Sequence, residues 1–142
     1  MPKSNYLDNA FLTLLFNGTS IPNLADGPGT APLTSLFVAL HTANPGPAAT
    51  QDANEAAYPG YARVPVARSG GGWVVGAELV NPSASIVFPA ATGGAETETY
   101  WSIGVAIAGA TEILYYGTIT PSIAVALGVT PELSTASVVT ES

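Results

Sequence analysis

The spacing of apolar residues most limits what this chain can fold into, because it changes along the sequence from a helical period to a period of two. An apolar stripe at helical spacing is formed by Leu7, Ala10, Phe11, Leu14 and Leu15. From Thr34 onward, apolar residues alternate with polar or small ones, as they do in half-buried strands. One helix followed by many short strands predicts a mainly β protein.

The helix has recognisable ends. Ser4 can cap the first turn, and Asp8 lies near the positive end of the helix dipole. Asn17–Gly18 supplies the left-handed residue on which helices commonly end. The sequence therefore predicts a helix over about residues 4–17.

Two large apolar residues of this helix, Leu12 and Phe16, fall outside the stripe. A helix that is apolar on more than one side is usually covered on more than one side. We expect Leu12 and Phe16 to contact a neighbouring protein copy. A helix buried entirely within one domain is the alternative.

The strands predicted after the helix lie between about residues 34 and 140. They are Thr34–His41, Tyr61–Arg68, Trp73–Val80, Ala84–Phe88, Thr99–Ala108 and Glu112–Ile119, with weaker ones near Ile123–Leu127 and Thr135–Thr140. The Gly-rich run Ser69–Gly72 predicts a turn that joins the second and third strands in a hairpin. Short strands with turn signals and one N-terminal α-helix predict an antiparallel β-sandwich or flattened barrel with long loops. A length of 142 residues favours a single domain over residues 1–142.

The strand Thr99–Ala108 has one bulky and one small face. The bulky face, which belongs in a core, carries Trp101, Ile103, Val105 and Ile107. Ser102 and Gly104 lie on the small face, which permits the close approach of another layer. That layer can come from this chain or from a neighbouring copy.

Two long segments without periodicity, Pro22–Pro32 and Thr42–Gly60, are rich in Pro, Gly, Ala and Asn. Long loops in a small domain are usually functional, and an arm that reaches a neighbour is one such use. The candidate interface residues are Leu12 and Phe16 on the helix and Ala48, Ala49, Thr50, Gln51 and Asp52 in the second segment.

Ionised groups are scarce: charged residues make up 9% of the chain, against about a quarter in an average domain. A surface this poor in charge is expected to be covered partly by other protein copies. The net charge of −7 repels a phosphate backbone, so direct nucleic-acid binding is not expected. No apolar run approaches the ~20 residues of a membrane helix, so no membrane contact is expected.

The residues that catalysis or metal binding would need are few. The chain has no Cys, and its one His, His41, lies within a predicted strand, where a packed histidine is the favoured role. Glu96 and Glu98 point the same way in a strand and could offer oxygen ligands to Ca²⁺, but a solvated strand entry is favoured. We therefore expect no enzyme activity, no cofactor and no metal site.

Aromatic residues allow two interpretations. Tyr61, Trp73 and Trp101 are predicted to lie in the core, because aromatic side chains favour strands and cross-strand pairs. A sugar-binding surface built from the chain's tyrosines and tryptophans is the alternative, which a glycan screen would test.

Four segments in fixed order resemble a known family. They are Leu36–Pro45, Asn54–Arg63, Phe88–Ala91 and Ile103–Gly117, behind an N-terminal helix. Together they resemble small virion proteins of tailed bacteriophages, which are described as capsid decoration (cement) proteins or as tail-fibre-like proteins. The resemblance spans most of the chain and implies a β-rich structural protein with no catalytic residues to transfer.

The resemblance leads us to expect a capsid decoration protein. It would assemble in the host cytoplasm, bind the major capsid protein on the capsid exterior as a homotrimer, and stabilise the shell through many modest contacts. The alternative is a tail-fibre or baseplate component that attaches to the host surface. Copy number per particle separates these two. A cell-wall hydrolase is disfavoured by the single His and the absence of Cys.

Overall fold

The fold is given by a computed structural model, which describes residues 5–20 and 33–140. Backbone contacts group these residues into two compact units. The helix unit comprises residues 5–20, 33–35, 66–85 and 133–140, and the sheet unit comprises residues 36–65 and 86–132. The single domain predicted from chain length stays a prediction.

The chain forms one helix and nine strands within the described residues. They are α1 (Asn5–Asn17), β1 (Ser35–His41), β2 (Val64–Ala67), β3 (Trp73–Gly76), β4 (Leu79–Pro82), β5 (Ile86–Val87), β6 (Ala95–Gly104), β7 (Ile113–Ala126), β8 (Glu132–Leu133) and β9 (Val139–Thr140). The strands form three sheets, ordered β2-β1-β6-β7, β3-β4-β9 and β5-β8. The pairs β1–β6, β6–β7, β3–β4 and β4–β9 are antiparallel. The mainly β, antiparallel fold with one N-terminal helix is confirmed; the described strands close no barrel, and the sandwich stays a prediction.

The buried face of α1 is not the predicted one. Leu12 and Phe16 are completely buried, whereas Phe11, a member of the predicted stripe, is 41% exposed. The Phe16 ring lies edge-on to Trp73, with ring centroids 4.9 Å apart, because α1 packs on β3 and β4. Leu12 and Phe16 therefore face the interior of the helix unit and not a neighbouring copy. Contact of α1 with another copy stays a prediction, and it would have to involve other side chains of the helix.

The end of α1 is stabilised by a distant arginine. The last turn of the helix contains no basic residue. Arg68 donates hydrogen bonds from its guanidinium to the backbone carbonyls of Leu14, Leu15 and Leu33. A cation at the negative end of the helix satisfies carbonyls that lack partners in the helix and interacts favourably with its dipole. One of the three basic residues of the chain thus serves the fold of the helix unit.

The hairpin predicted across Ser69–Gly72 is wrong. β2 and β3 belong to different sheets, and β3 instead pairs with β4 through a turn at Ala77–Glu78. Ala77 and Glu78 have φ values of 53° and 63°, which a hairpin of this kind requires. Sequence signals miss this turn because Gly, Asn or Asp normally occupies such positions.

The core of the sheet unit is centred on β1 and β6. Val38 pairs with Ile103 across the two strands, and neither side chain is exposed. Trp101 is 6% exposed and lies on the same face of β6, which confirms that Trp101 and Ile103 pack inward. For Ile107 the prediction is wrong: β6 ends at Gly104, and Ile107 is 53% exposed. On its other side β6 pairs with β7, which is one 14-residue strand rather than the two strands predicted there.

Candidate functional site

The segment from Thr42 to Tyr61, here called the 42–61 loop, is folded back on the sheet unit. Its Gln51 is completely buried, and Nε2 of this side chain donates to the Phe37 carbonyl at 2.9 Å and to Ser102 Oγ at 3.2 Å. The Gln51 amide donates to the Thr111 carbonyl at 2.8 Å. The second long segment is therefore not a free arm.

A glycine on β6 makes room for Gln51. A Cβ atom added to Gly104 would lie 2.1 Å from Gln51 Oε1 and 2.5 Å from its Cδ, which is far closer than atoms can approach. The small face of β6 thus contacts another layer, as predicted. That layer is the chain's own loop.

His41 ties the same loop to the sheet. Its Nδ1 lies 2.9 Å from the Ala53 carbonyl and its Nε2 lies 2.7 Å from Ser102 Oγ. A carbonyl oxygen only accepts hydrogen bonds, so Nδ1 carries the proton and Nε2 of the neutral ring accepts from the Ser102 hydroxyl. Burial lowers the pKa of His41 below its ordinary value, which favours this neutral form. The predicted packed histidine is confirmed.

A Ser–His contact is also the first half of a hydrolytic triad. Here both His41 and Ser102 are completely buried, and the His41 nitrogen remote from Ser102 faces a backbone carbonyl instead of a carboxylate. Ser102 Oγ also accepts from Gln51. In this arrangement the pair joins the 42–61 loop to β6.

A buried ion pair closes the end of the loop. Arg63 Nε donates to Glu55 Oε1 at 2.7 Å, and Nη2 donates to Oε2 at 2.8 Å, in a two-pronged contact. The remaining donors of Arg63 bond the carbonyls of Ala106 and Gly109 and the hydroxyl of Thr111, at 2.8 to 3.1 Å. All five N–H groups of the guanidinium are used, which a buried arginine requires.

Tyr61 adds a third partner to this ion pair. Its hydroxyl donates to Glu55 Oε1 at 2.8 Å and accepts from the Leu40 amide at 3.2 Å. Burial, together with the adjacent Glu55 charge, raises the pKa of Tyr61 well above its ordinary value. Tyr61 therefore stays protonated and serves as a donor between the loop and β1.

The two glutamates of β6, Glu96 and Glu98, were predicted to be solvated, but Glu96 is hydrogen-bonded to the 42–61 loop and Glu98 is buried. Glu96 Oε1 accepts from the amides of Ala57 at 2.9 Å and Tyr58 at 2.8 Å, so it anchors the loop as well. Glu98 is completely buried, and no donor of the described residues reaches either of its carboxylate oxygens. Burial, with the neighbouring Glu96, raises the pKa of Glu98 to about 8. The prediction of a solvated side chain is therefore wrong for Glu98, which has no exposed surface.

The candidate interface residues of the loop separate into two groups. Gln51 was expected to contact another protein copy, but its side chain has no exposed surface with which to do so. Ala48 and Asp52 are exposed, and Ala49 and Thr50 are partly exposed. For these four the predicted contact stays a prediction. The segment Pro22–Pro32 lies outside the described residues.

The exposed charges of the described residues are all acidic. Asp52, Glu112 and Glu132 are exposed. Arg63 is buried, and Arg68 is bonded to helix carbonyls. Lys3 lies outside the described residues. The described surface is therefore weakly negative and largely uncharged.

The outer edge of the four-stranded sheet is the longest strand of the protein. β7 contains 14 residues, none of which is Asp, Glu, Lys, Arg or His. Tyr116 on this strand is 38% exposed, and Leu127 just beyond it is 75% exposed. An edge strand also presents backbone N–H and C=O groups that its own sheet does not use.

Other kinds of site find little support in the described residues. Tyr58, Trp73 and Trp101 are buried, so these three cannot belong to a sugar-binding surface. For the other tyrosines of that alternative, of which Tyr116 is 38% exposed, it stays a prediction. Within residues 5–20 and 33–140, no three His, Asp or Glu side chains come together as metal ligands would. Over the same ranges, no helix has the length and apolar character needed to span a bilayer.

A protein-family model matches residues 2–141 of the chain, and its description is podophage GP4 fiber I protein gp80. The chain therefore belongs to this family, and it is a structural protein of a phage virion. Comparison with curated proteins finds no significant match. The family resemblance noted from the four sequence segments is confirmed.

Proposed function

We propose that this protein is a subunit of a phage tail fibre that is present on the virion in several copies. The observation that carries the proposal is the family match over residues 2–141, whose description names a fibre. This is the alternative reading of the sequence resemblance. A mechanical role is supported by the described residues, because many of their polar side chains form hydrogen bonds that join segments of the same chain.

The 42–61 loop is fastened to the sheet unit at three places. Gln51 is bonded to β1 and β6, His41 holds the Ala53 carbonyl, and Glu55 is bonded to Arg63. Each net hydrogen bond contributes about 0.5–1.5 kcal/mol, and those to charged groups about 1.5–3 kcal/mol. A long loop fixed in this way resists local opening, which suits a part that bears load.

Capsid decoration is the second candidate. In this role the protein would lie on the capsid exterior, bind the major capsid protein and form a homotrimer. It is supported by the acidic, sparsely charged exposed surface of the described residues, which suits a position away from packaged DNA. Many modest contacts would then add up on the lattice.

Copy number and position on the particle separate the two candidates. Quantitative mass spectrometry of purified virions gives the ratio of this chain to the major capsid protein, and electron microscopy of the virion gives its position. A few to a few dozen copies near the tail would support the fibre proposal. Hundreds of copies spread over the capsid would overturn it in favour of decoration.

A second readout tests attachment directly. Purified protein added before infection should slow adsorption of the phage if the fibre subunit contacts the host. An equal amount of protein unfolded by heating is the control. Adsorption that is unchanged while the chain is found at the tail would mean a fibre component that does not itself contact the host.

A further inference from the structure

We propose that residues 105–110, here called the apolar turn, bind an apolar pocket with a basic rim on a different protein of the virion. The apolar turn lies between β6 and β7, and its sequence Val-Ala-Ile-Ala-Gly-Ala contains no polar side chain. Its last four residues are exposed, Ile107 to 53%. Single exposed apolar residues are ordinary on a protein surface, whereas a continuous apolar surface usually marks a contact. This contact requires only that the chain belongs to a virion, whichever part of the particle carries it.

The apolar turn is held from the inside by Arg63. Nη1 of Arg63 donates to the Ala106 carbonyl at 3.0 Å, and Nη2 donates to the Gly109 carbonyl at 2.8 Å. Just after the turn, Thr111 Oγ1 accepts from Nη1 at 3.1 Å. Only 1% of the Arg63 side chain is exposed, so these bonds are sheltered from water. The turn is therefore fixed before a partner arrives, and binding costs little conformational entropy.

Ile107 is the large side chain among the exposed residues of the apolar turn. The others are Ala108, Gly109 and Ala110, whose small size lets the surface of a partner approach the backbone on that side. A single large side chain that fills a pocket commonly carries much of the binding energy of an interface. We therefore expect the partner to offer a pocket of about the size of one isoleucine side chain.

Two exposed acids lie beside the apolar turn. Glu112 follows the turn by two residues and pairs with Thr50 in an isolated bridge. Thr50 Oγ1 donates to Asp52 Oδ1 at 2.6 Å, so Asp52 is attached to the same place. Negative groups at the side of an apolar contact favour a partner that carries Lys or Arg there. The pocket that fits this surface therefore has a basic rim.

The described residues of a second copy of this chain do not supply that rim. Arg63 is buried, and its N–H groups are bonded to Glu55 and to the segment that joins β6 to β7. Arg68 is bonded to the carbonyls at the end of α1, and His41 is completely buried. A bilayer fits no better, because its anionic headgroups would repel both acids. Charge therefore favours a different protein as the partner.

Incorporation into virions tests the anchor. The phage gene is disrupted, each variant is supplied in the host from a plasmid, and quantitative mass spectrometry of purified virions gives copies per particle. Ile107→Ser should lower the copy number at least tenfold, and the milder Ile107→Ala about threefold. Leu127→Ser is the matched control, because Leu127 is 75% exposed and lies outside the apolar turn. It should be incorporated like the wild type, and equal melting temperatures establish that all variants fold.

A charge reversal tests the basic rim. Glu112→Lys should lower the copy number, because the new cation would face the cations of the partner. Glu132→Lys makes the same change at an exposed acid on β8, and it should be incorporated like the wild type. If the two lysine variants behave alike, the basic rim is wrong.

Photo-cross-linking identifies the partner without weakening the anchor. p-Benzoylphenylalanine in place of Ala108 lies at an exposed position of the apolar turn and leaves Ile107 intact. Irradiation of purified virions should join the chain to a different virion protein, which mass spectrometry of the adduct identifies. Adducts of this chain with itself alone, or no adduct, would overturn the proposal.

Normal incorporation of Ile107→Ser, or an equal loss for Leu127→Ser, would overturn it as well. The position of the protein on the virion is measured separately on wild-type particles. A failure of the apolar turn as a binding surface therefore leaves the choice between fibre and capsid untouched.

Discussion

Arg63 and Glu55 face each other as two forks, with Nε 2.7 Å from Oε1 and Nη2 2.8 Å from Oε2. Only 1% of the Arg63 side chain is exposed and 16% of the Glu55 side chain. Since both groups lie largely outside water, each depends on the other for its charge to be tolerated. The pair fixes the end of the 42–61 loop against the segment that joins β6 to β7.

Arg63→Ala should lower the free energy of unfolding by about 3–5 kcal/mol, because Glu55 loses its partner inside the fold and three further acceptors, on Ala106, Gly109 and Thr111, lose their donor. Arg63→Lys should recover little, since one ammonium cannot replace the two-pronged contact. Urea unfolding measures both. The double variant Glu55→Gln/Arg63→Met should be less destabilised than the sum of its single changes. A cost under about 1 kcal/mol for Arg63→Ala would contradict the role given to this pair.

Gly104→Ala should destabilise the sheet unit, because the added methyl group would occupy the space of Gln51 Oε1. Thermal unfolding should show a clear fall in Tm. The control is Gly76→Ala on β3, where a Cβ meets nothing within 4 Å and little change is expected. Adding Gln51→Ala to Gly104→Ala should recover part of the loss. If the two glycine variants melt alike, the close contact with Gln51 is wrong.

Glu98→Gln should stabilise the protein increasingly as the pH rises. The pKa of Glu98 is about 8 in the folded chain and near 4.5 when unfolded, so between these values the folded state binds more protons. Stability contributed by protonated Glu98 is therefore full below pH 4.5 and is lost as the pH approaches 8. The Tm difference between variant and wild type should be small at pH 5 and reach several degrees at pH 8.5.

The matched control for this experiment is Glu132→Gln, which changes an exposed carboxylate on β8. Its Tm difference from the wild type should stay nearly constant over the same pH range. A Glu98→Gln difference that also stays constant would show that Glu98 is ionised in the folded protein.

His41 should titrate below its ordinary pKa of 6.5, since burial opposes its charge. As the only histidine, it gives imidazole signals in an NMR titration that need no assignment by mutation. The nitrogen shifts should also show the proton on Nδ1. Because the unfolded state binds more protons below pH 6.5, stability should fall as the pH drops from that value. A midpoint above 6.5 would contradict the buried neutral form.

Deletion of Ala48–Asn54 is the simplest test of whether the 42–61 loop is an arm that binds a neighbour. We expect this deletion to unfold the sheet unit and not merely to detach the protein from the particle. The deleted segment contains Gln51 and the Ala53 carbonyl, both of which are bonded within the chain. Ala48→Arg is the better test of a contact at the loop tip, because Ala48 is exposed. The variant should melt like the wild type. If this variant is incorporated into virions normally, Ala48 does not belong to the predicted contact between the 42–61 loop and another virion protein.

Much of the fold is visible in the sequence because local patterns report local structure. The helix was placed within one residue of Asn5–Asn17, and the strand Ser35–His41 was found with nearly correct ends. Alternation on β6 correctly identified Trp101 and Ile103 as core residues. The hairpin at Ala77–Glu78 was missed, because neither residue type signals the left-handed conformation it adopts.

The site was less visible. Gln51 and Glu98 look like ordinary surface residues in the sequence, yet both are completely buried. Gln51 is buried through contacts with Ser102, which lies about 50 residues away in the sequence. Glu98 lies on β6 where this strand pairs with Ile123 of β7. No local pattern carries such information, since polar side chains are buried only where partners or neighbours happen to meet them.

By itself, the amino-acid sequence determined the mainly β character of the chain, its single N-terminal helix, its scarcity of charge and its relation to phage virion proteins. These properties depend on composition, on spacing along the chain and on the order of short segments. Only the tertiary structure decided that Leu12 and Phe16 face inward, that the 42–61 loop is fastened by buried polar groups, and that β7 is left at the edge. Each of these outcomes depends on which distant segments meet, because burial and strand pairing are properties of surfaces that only the folded chain possesses.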